Sequence, residues 1–273
     1  MVTWTGGAVT ARATCVLAPN PGPMTLEGTN TWVLIEPGAN RAVVVDPGPD
    51  DDTHLRAVLA VVEGHDAAVG TVLLTHRHLD HSAGAAALAA RTGAPVRALD
   101  PVHRHGAEGL ADGDVVTTGG LFLQVVATPG HTGDSLSFVL PDDGALLTGD
   151  TVLGRGSTVV AHPDGRLEDY LESLERLRHL VSGQTKVLPG HGPVLADAQA
   201  AVTGYLHHRR QRLEQVRAAV AAGARSPADV VRVVYADVDR ALWPAAELSV
   251  RAQLDYLLRA GPSASGAAGA RHP

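Results

Sequence analysis

The chain has 273 residues, enough for one large domain and a small one, and its 45% hydrophobic and 19% charged residues exclude a disordered protein. A formal charge of −7 with only 3% aromatic residues argues against a protein that holds nucleic acid mainly through a basic surface and stacking rings, though not against a local basic groove. No apolar run reaches the length of about 18 residues that a membrane span needs, and MVTWTGGAVTARATC lacks a basic segment followed by an apolar one, so the expectation is a cytoplasmic protein without a membrane partner.

In chain order, the single cysteine, Cys15, sits in the strand-like ATCVLAP and is expected to be a buried thiol. Two apolar runs around a Pro-Gly-Ala-Asn turn predict a hairpin over Thr31 to Val45, ending at Asp46. Asp51 to Thr53 then start a helix whose face is Leu55, Val58, Leu59 and Val62, stopped by Gly64. A strand is expected at Thr71 to Thr75, and a helix of small residues at Ser82 to Ala90, closed by Gly93. Strands follow at Leu121 to Ala127, Ser135 to Leu140 and Ala145 to Thr148, the last two joined by Pro141-Asp142-Asp143-Gly144. Leu167, Leu171, Leu174, Leu177 and Leu180 mark an amphipathic helix, and a strand at Lys186 to Leu188 comes next. This alternation predicts an α/β sandwich over residues 1–198, with helices outside facing sheets. Residues 199–262 read as helices only, with breaks at Gly223 and Ser226-Pro227 and a last helix from Pro244 to Ala260. The tail, 263–273, has no periodicity and is expected to be disordered.

The central chemical signal is His76-Arg77-His78-Leu79-Asp80-His81, four ligand-type residues between an apolar strand and a helix. In extended backbone, residues two apart face one side, so His76 and His78 can grip one ion, while Asp80 and His81, on the turn, suit a second. His131, Asp150 and His191 each follow a glycine at a predicted strand end, where the backbone can approach the centre closely. One assignment satisfies two ions: His76, His78 and His131 on the first, Asp80, His81 and His191 on the second, and Asp150 between them. Imidazole and carboxylate donors favour two zinc ions, with iron or manganese as alternatives. A closed structural zinc site fits poorly, because such sites are often built from cysteine.

At these residues the chain resembles the metallo-β-lactamase superfamily, whose HxHxDH signature is met by His76 to His81 and followed by the matching His131, Asp150 and His191. The resemblance implies an αββα sandwich holding two metals bridged by hydroxide, with Asp80 and Asp150 as catalytic ligands. It also places Asp46 as a residue that orients ligands without binding metal. The segment Asn20-Pro21-Gly22-Pro23-Met24-Thr25-Leu26-Glu27-Gly28-Thr29-Asn30-Thr31 and the tail from His207 resemble the narrower lactamase beta 2 group. That group implies a C-terminal winged-helix domain and includes endoribonucleases.

The expected function is therefore metal-dependent hydrolysis of an anionic or ester substrate. A phosphodiesterase or endoribonuclease acting on single-stranded RNA is the first expectation, and hydrolysis of thioesters or other small acyl esters the alternative. A non-catalytic metal-binding or nucleic-acid-binding module is the third. Arg209 and Arg210, in the run His207 to Arg212, are expected to guide a phosphate backbone, against the competing view of a solvated helix face. Arg155, at the rim, is a further candidate anion contact.

Overall fold

The computed structural model describes residues 3–106 and 108–260; the expected disordered tail lies outside them. Its first half contains β1 (Gly7–Ala8), β2 (Ala13–Leu17), β3 (Asn30–Ile35), β4 (Arg41–Val45), α1 (Asp52–Glu63), β5 (Ala68–Leu73), α2 (Leu79–Ser82), α3 (Ala85–Thr92) and β6 (Val96–Arg97). The second half adds β7 (Val115–Thr118), β8 (Leu121–Ala127), β9 (Leu136–Leu140), β10 (Ala145–Gly149), α4 (Leu167–Leu180) and β11 (Lys186–Pro189). Three helices close the chain: α5 (Ala198–Ala221), α6 (Pro227–Val234) and α7 (Trp243–Ala260).

The first six strands form one sheet in chain order, antiparallel up to β4 and parallel from β4 to β6. The other sheet runs β11-β10-β9-β8-β7, with β10 and β11 parallel. Their inner faces share one apolar layer in which Trp32, Leu34 and Val45 meet Leu123, Phe138 and Leu147. Outside the first sheet, Val44 and Val72 pack under Leu55, Val58 and Leu88 of α1 and α3. Outside the second, Val126, Leu146 and Val187 pack under Tyr170, Leu174 and Leu177 of α4. The architecture is the expected α/β sandwich of αββα layers, and it explains why Val43, Val44 and Val45 are apolar without alternation: both faces of that strand are covered.

The first half of α5 belongs to the sandwich, since Ala198, Val202 and Leu206 join the α4 cluster, as does Ala252 of α7. Beyond it, Val216, Val230, Val231, Val234 and Val250 form a separate core for the helical unit. Ser226 and Asp229 make a reciprocal capping box at the start of α6, with Pro227 in its first turn.

Local expectations from sequence hold at most elements. Asp51 caps α1 by accepting from the His54 amide, and Cys15 is 3% exposed in β2, where burial pushes its thiol up to about 12. One expectation fails. The helix foreseen at Ser82 to Ala90 is two helices, α2 and α3, because Gly84 donates its amide to the Gly48 carbonyl at 2.9 Å and an added Cβ would crowd the Pro49 carbonyl. The break lets α2 carry Asp80 and His81 at an angle independent of α3.

Tight passage of chain recurs before His131. Gly130 has φ 134°, and a Cβ there would overlap the Tyr170 backbone at the start of α4. Gly130→Ala is expected to destabilise the protein by about 2 kcal/mol or more. The check is the denaturant midpoint, and an unchanged midpoint would show that α4 can yield.

Candidate metal centre and adjoining cavity

The site is assembled at the ends of the strands nearest the seam between the two sheets. Asp46, immediately after β4, is 1% exposed and adopts φ 52°, a left-handed conformation that turns its carboxylate inward. Its Oδ1 accepts from the Thr75 amide at 2.8 Å and its Oδ2 from the Thr75 hydroxyl at 2.7 Å. This capture stops the strand pairing of β5 before Thr75, while the Thr75 carbonyl accepts from Leu136 of the opposite sheet at 2.7 Å. Thr75 thus ties both sheets to the base of the histidine turn.

Hydrogen-bond logic fixes which ring nitrogen faces the centre. Because the Thr75 hydroxyl gives its one proton to Asp46, it can only accept from His76 Nδ1, 3.0 Å away. His81 Nδ1 meets Asp46 Oδ2 at 2.8 Å, His131 Nδ1 meets the Val159 carbonyl at 2.6 Å, and His191 Nδ1 meets the Gly28 carbonyl at 3.2 Å. Each partner is an acceptor, so all four Nδ1 atoms carry hydrogen and all four Nε2 atoms point inward as the atoms that bind or release a cation. His78 differs, presenting Nδ1 instead, 3.0 Å from both His76 Nε2 and His131 Nε2.

These atoms fall into two groups. His76, His78 and His131 form one, Asp80, His81 and His191 the other, and a third trio, His76, His81 and Asp150, spans the two. In the second, His81 Nε2 and His191 Nε2 are 3.3 Å apart, and Asp80 Oδ2 is 3.4 and 3.2 Å from them. Asp150 Oδ2 lies between the groups, 3.6 Å from His131 Nε2 and 3.4 Å from His191 Nε2. Four ligands held tetrahedrally at zinc distances are about 3.3–3.4 Å from one another, a spacing the second group matches and the 3.0 Å separations of the first approach, so each group can converge on a divalent ion. Two further observations agree. Asp150 Oδ1 is buried without a hydrogen-bond partner, and a Cβ on Gly190 would strike that same oxygen and come within 2.7 Å of His81 Cε1. The arrangement is a candidate dinuclear metal site.

Without metal, protons must balance this charge. Burial and the neighbouring His81 hold His76 well below the ordinary imidazole range, and burial likewise lowers His131. Burial opposes charge at His81 and His191 too, yet Asp150 and Asp46 lift His81 well above its usual value, and Asp150 and Asp80 hold His191 at about 9. Burial pushes the Asp80 carboxyl up, but the His191 hydrogen bond and the charges of His81 and His191 together outweigh it and leave Asp80 at about 2.

The segment Thr29-Asn30-Thr31 laces the site from outside. The Thr29 hydroxyl donates to Asp80 Oδ2 at 3.3 Å, the Asn30 amide to the Pro189 and Gly192 carbonyls at 2.9 Å each, and the Thr31 hydroxyl to the Asp46 carbonyl at 2.7 Å. Three consecutive residues therefore position three separate parts of the centre. The sequence marks this segment only by resemblance, and its roles, like those of Thr75 and the Gly28 and Val159 carbonyls, emerge from the fold. The Thr75 signal was local: a hydroxyl residue directly before the histidine turn.

A cavity of about 500 Å³ opens from His131 and Asp150 toward the helical unit. Its apolar wall includes Leu26, Leu153, Val159, Val238 and Leu242, and its basic side is His208, Arg209 and Arg212. Arg209 is 6% exposed, donates to the Thr158 carbonyl and lies over the Tyr170 ring at 5.0 Å. Arg210 is not brought to this cavity; it pairs with Glu175 of α4 at 2.6 Å. Arg155 lines the cavity while paired with Glu27.

The pattern of the metallo-beta-lactamase superfamily matches residues 24–191, more than half of the chain. The chain belongs to this superfamily. The beta-lactamase associated winged helix domain matches residues 226–262, in the helical unit. A "Beta-lactamase-like protein 2 homolog" of Caenorhabditis elegans is 32% identical, over 91% of this chain and 84% of that one. An "Atrochrysone carboxyl ACP thioesterase" of Aspergillus fumigatus is 32% identical, over 82% of this chain and 73% of that one. Among solved structures, a beta-lactamase domain protein from Burkholderia ambifaria superposes with TM-score 0.79 at 26% identity, covering 96% of this chain and 90% of its own. The present member of the metallo-beta-lactamase superfamily is a metal-dependent hydrolase, and no helix among its described residues is long and apolar enough to cross a membrane.

Asp46→Asn sets its NH2 against either the Thr75 amide or the His81 Nδ1–H, and is expected to weaken metal binding about 10–100-fold, measured by competition with a chromophoric chelator. Unchanged affinity would deny Asp46 its orienting part. The raised His81 and His191 give a pH signature. An unfolded imidazole titrates near about 6.5, so the stability these two contribute to metal-free protein is complete below that pH and is lost as pH rises toward 9. Thermal melts of chelator-treated protein are expected to fall across this window relative to the loaded protein; a rise would contradict the protonation described.

Proposed function

We propose that this hydrolase cleaves small acyl thioesters, using a dinuclear centre most naturally filled by zinc, with iron or manganese as alternatives. The observation that carries the reading is the cavity. Its volume of about 500 Å³ is that of a small-molecule pocket, and its apolar wall of Leu153, Val159, Val238 and Leu242 suits an acyl group whose carbonyl lies at His131 and Asp150. Relatives in two fungi bear thioesterase names, which supports the same substrate class.

In this reading His76, His78 and His131 would hold one ion and Asp80, His81 and His191 the other, with Asp150 between them. Bound ions would supply Lewis acidity and lower the cost of forming hydroxide at neutral pH. The protein's own residues do the rest. Asp46, Thr75 and the Gly28 and Val159 carbonyls hold the imidazoles so that no reorganisation is needed during reaction. Asp80 and Asp150 stay ionised, each held below its ordinary range by His191 and His81 despite burial. The apolar wall excludes water from the acyl group.

The leaving group also favours a thioester. The titratable side chain on the basic wall of the cavity is His208, and burial together with Arg209 and Arg212 lowers its pKa, making it neutral and a poor acid. A thiolate departs without a proton far more readily than a ribose oxygen, since a thiol titrates near about 8.5.

Cleavage of single-stranded RNA is the second reading, favoured by the basic wall. Against it stand the diversion of Arg210 to Glu175 and the covering of Tyr235, an aromatic in the lining, by Arg212 at 4.4 Å. Metal-loaded protein should be assayed side by side on acyl thioesters of N-acetylcysteamine and on single-stranded RNA. Thioester turnover is expected, falling roughly 10²–10³-fold in Asp80→Ala. RNA cleavage without thioester turnover would overturn the proposal and install the second reading.

A further inference from the structure

Arg209 and Arg212 are one helical turn apart on α5, and both line the cavity. Each is held in the same manner, by one main-chain carbonyl and one aromatic face. Arg209 donates to the Thr158 carbonyl and lies over Tyr170; Arg212 donates to the Val234 carbonyl and lies over Tyr235. A guanidinium has five N–H donors, so this fixing leaves most of each fork unspent. Among the described residues no carboxylate pairs with either, whereas their neighbours Arg210 and Arg155 are engaged by Glu175 and Glu27. His208, which lines the same cavity, is pushed toward its neutral form and adds no further positive charge.

Two buried or half-buried cations of one sign, immobilised side by side, repel each other and carry the desolvation cost of their unused donors. Both penalties are relieved by an anion seated in the cavity, and a carboxylate or phosphate matches the planar fork. We propose that Arg209 and Arg212 form the recognition site for an anionic group carried by the thioester substrate, so that the preferred substrates are thioesters bearing a carboxylate on the acyl part or a phosphate on the thiol part. This rests on the acyl-thioester reading for its substrate class, but not for the anion site itself. The position is suited to selection: the Thr158 carbonyl that holds Arg209 is adjacent to the Val159 carbonyl that orients His131. The anion and the scissile carbonyl are thereby set at a fixed separation along one short stretch of chain.

Arg212 is the residue to vary, because Arg209 also supports the His131 segment. The kinetic arm compares Arg212→Gln with wild type on three thioesters: glutaryl and pentanoyl N-acetylcysteamine, which differ by a carboxylate, and pentanoyl coenzyme A, which adds phosphates to the thiol. Wild type is expected to prefer one of the two anionic substrates over the neutral one by about 10–100-fold in kcat/KM, as for hydrogen bonds to a charged group. The preferred compound tells the acyl source from the thiol source. In R212Q that preference should drop about tenfold or more, the loss falling on the anionic substrate more than on pentanoyl N-acetylcysteamine, and Arg212→Lys should restore part of it.

The binding arm needs no turnover. Free glutarate and inorganic phosphate are titrated against metal-loaded wild type and R212Q by thermal melting, after the unliganded melting temperatures are matched. Stabilisation of wild type by one of them, lost in R212Q, is expected. If no thioester is turned over but that difference remains, the acyl reading fails and the anion site stands. If all three thioesters turn over alike and neither anion stabilises, the anion site is overturned and the acyl reading stands. An effect of R212Q confined to RNA cleavage would also overturn it, in favour of a nucleic-acid backbone.

Discussion

Unshared electron pairs converging on one small, largely buried volume are the constraint from which the rest of this structure follows. Five imidazoles and two carboxylates turn their electron-rich atoms toward the seam of the two sheets at separations of 3.0–3.6 Å. Such a cluster is unfavourable unless cations balance it, and it stays open to cations only if each ring is prevented from rotating. The fold meets both conditions with acceptors placed behind the rings. Asp46, Gly28, Thr75 and Val159 each hold an Nδ1, and the positions of these acceptors depend in turn on β4, β5 and the Thr29-Asn30-Thr31 lacing.

Much of this was legible in the sequence because it is local. The histidine turn packs four donors into six residues, and glycine directly before His131, Asp150 and His191 announces a tight approach. The layer order could be read from the alternation of apolar runs with helical faces. What escaped is long-range. Thr75 and Asp46 are 29 positions apart, and nothing in either one's neighbourhood states that a hydroxyl will spend its proton on a carboxylate. The split at Gly84 depends on the Gly48 carbonyl, a contact invisible in the small-residue pattern that predicts one helix.

The basic run on α5 is instructive in a different way. Read as a block, His207 to Arg212 is a single patch, and Arg209 and Arg210 are its natural pair. A helix advances about 100° per residue, so neighbours in sequence diverge while residues three apart align. Arg209 and Arg212 therefore reach the cavity together, and Arg210 points to Glu175 on α4. The periodicity needed to separate them was present in the sequence; the wall against which α5 packs was not.

The continuity of α5 has a consequence for how this architecture changes over time. One uninterrupted rod begins under the second sheet, at Ala198, and ends at Ala221, after Val216 and Ala219 have joined the core of the helical unit. Its register is thus a setting shared by both halves. A single residue gained or lost between Arg209 and Arg212 would swing every later side chain by about 100° and slide it about 1.5 Å, replacing the Arg212 guanidinium on the cavity wall by a neighbour while leaving Arg209 and all seven ligand-type residues untouched. Lineages sharing the same chemistry could acquire different appetites by such slips, with the reacting centre inherited intact and the chamber beside it rewritten in one event.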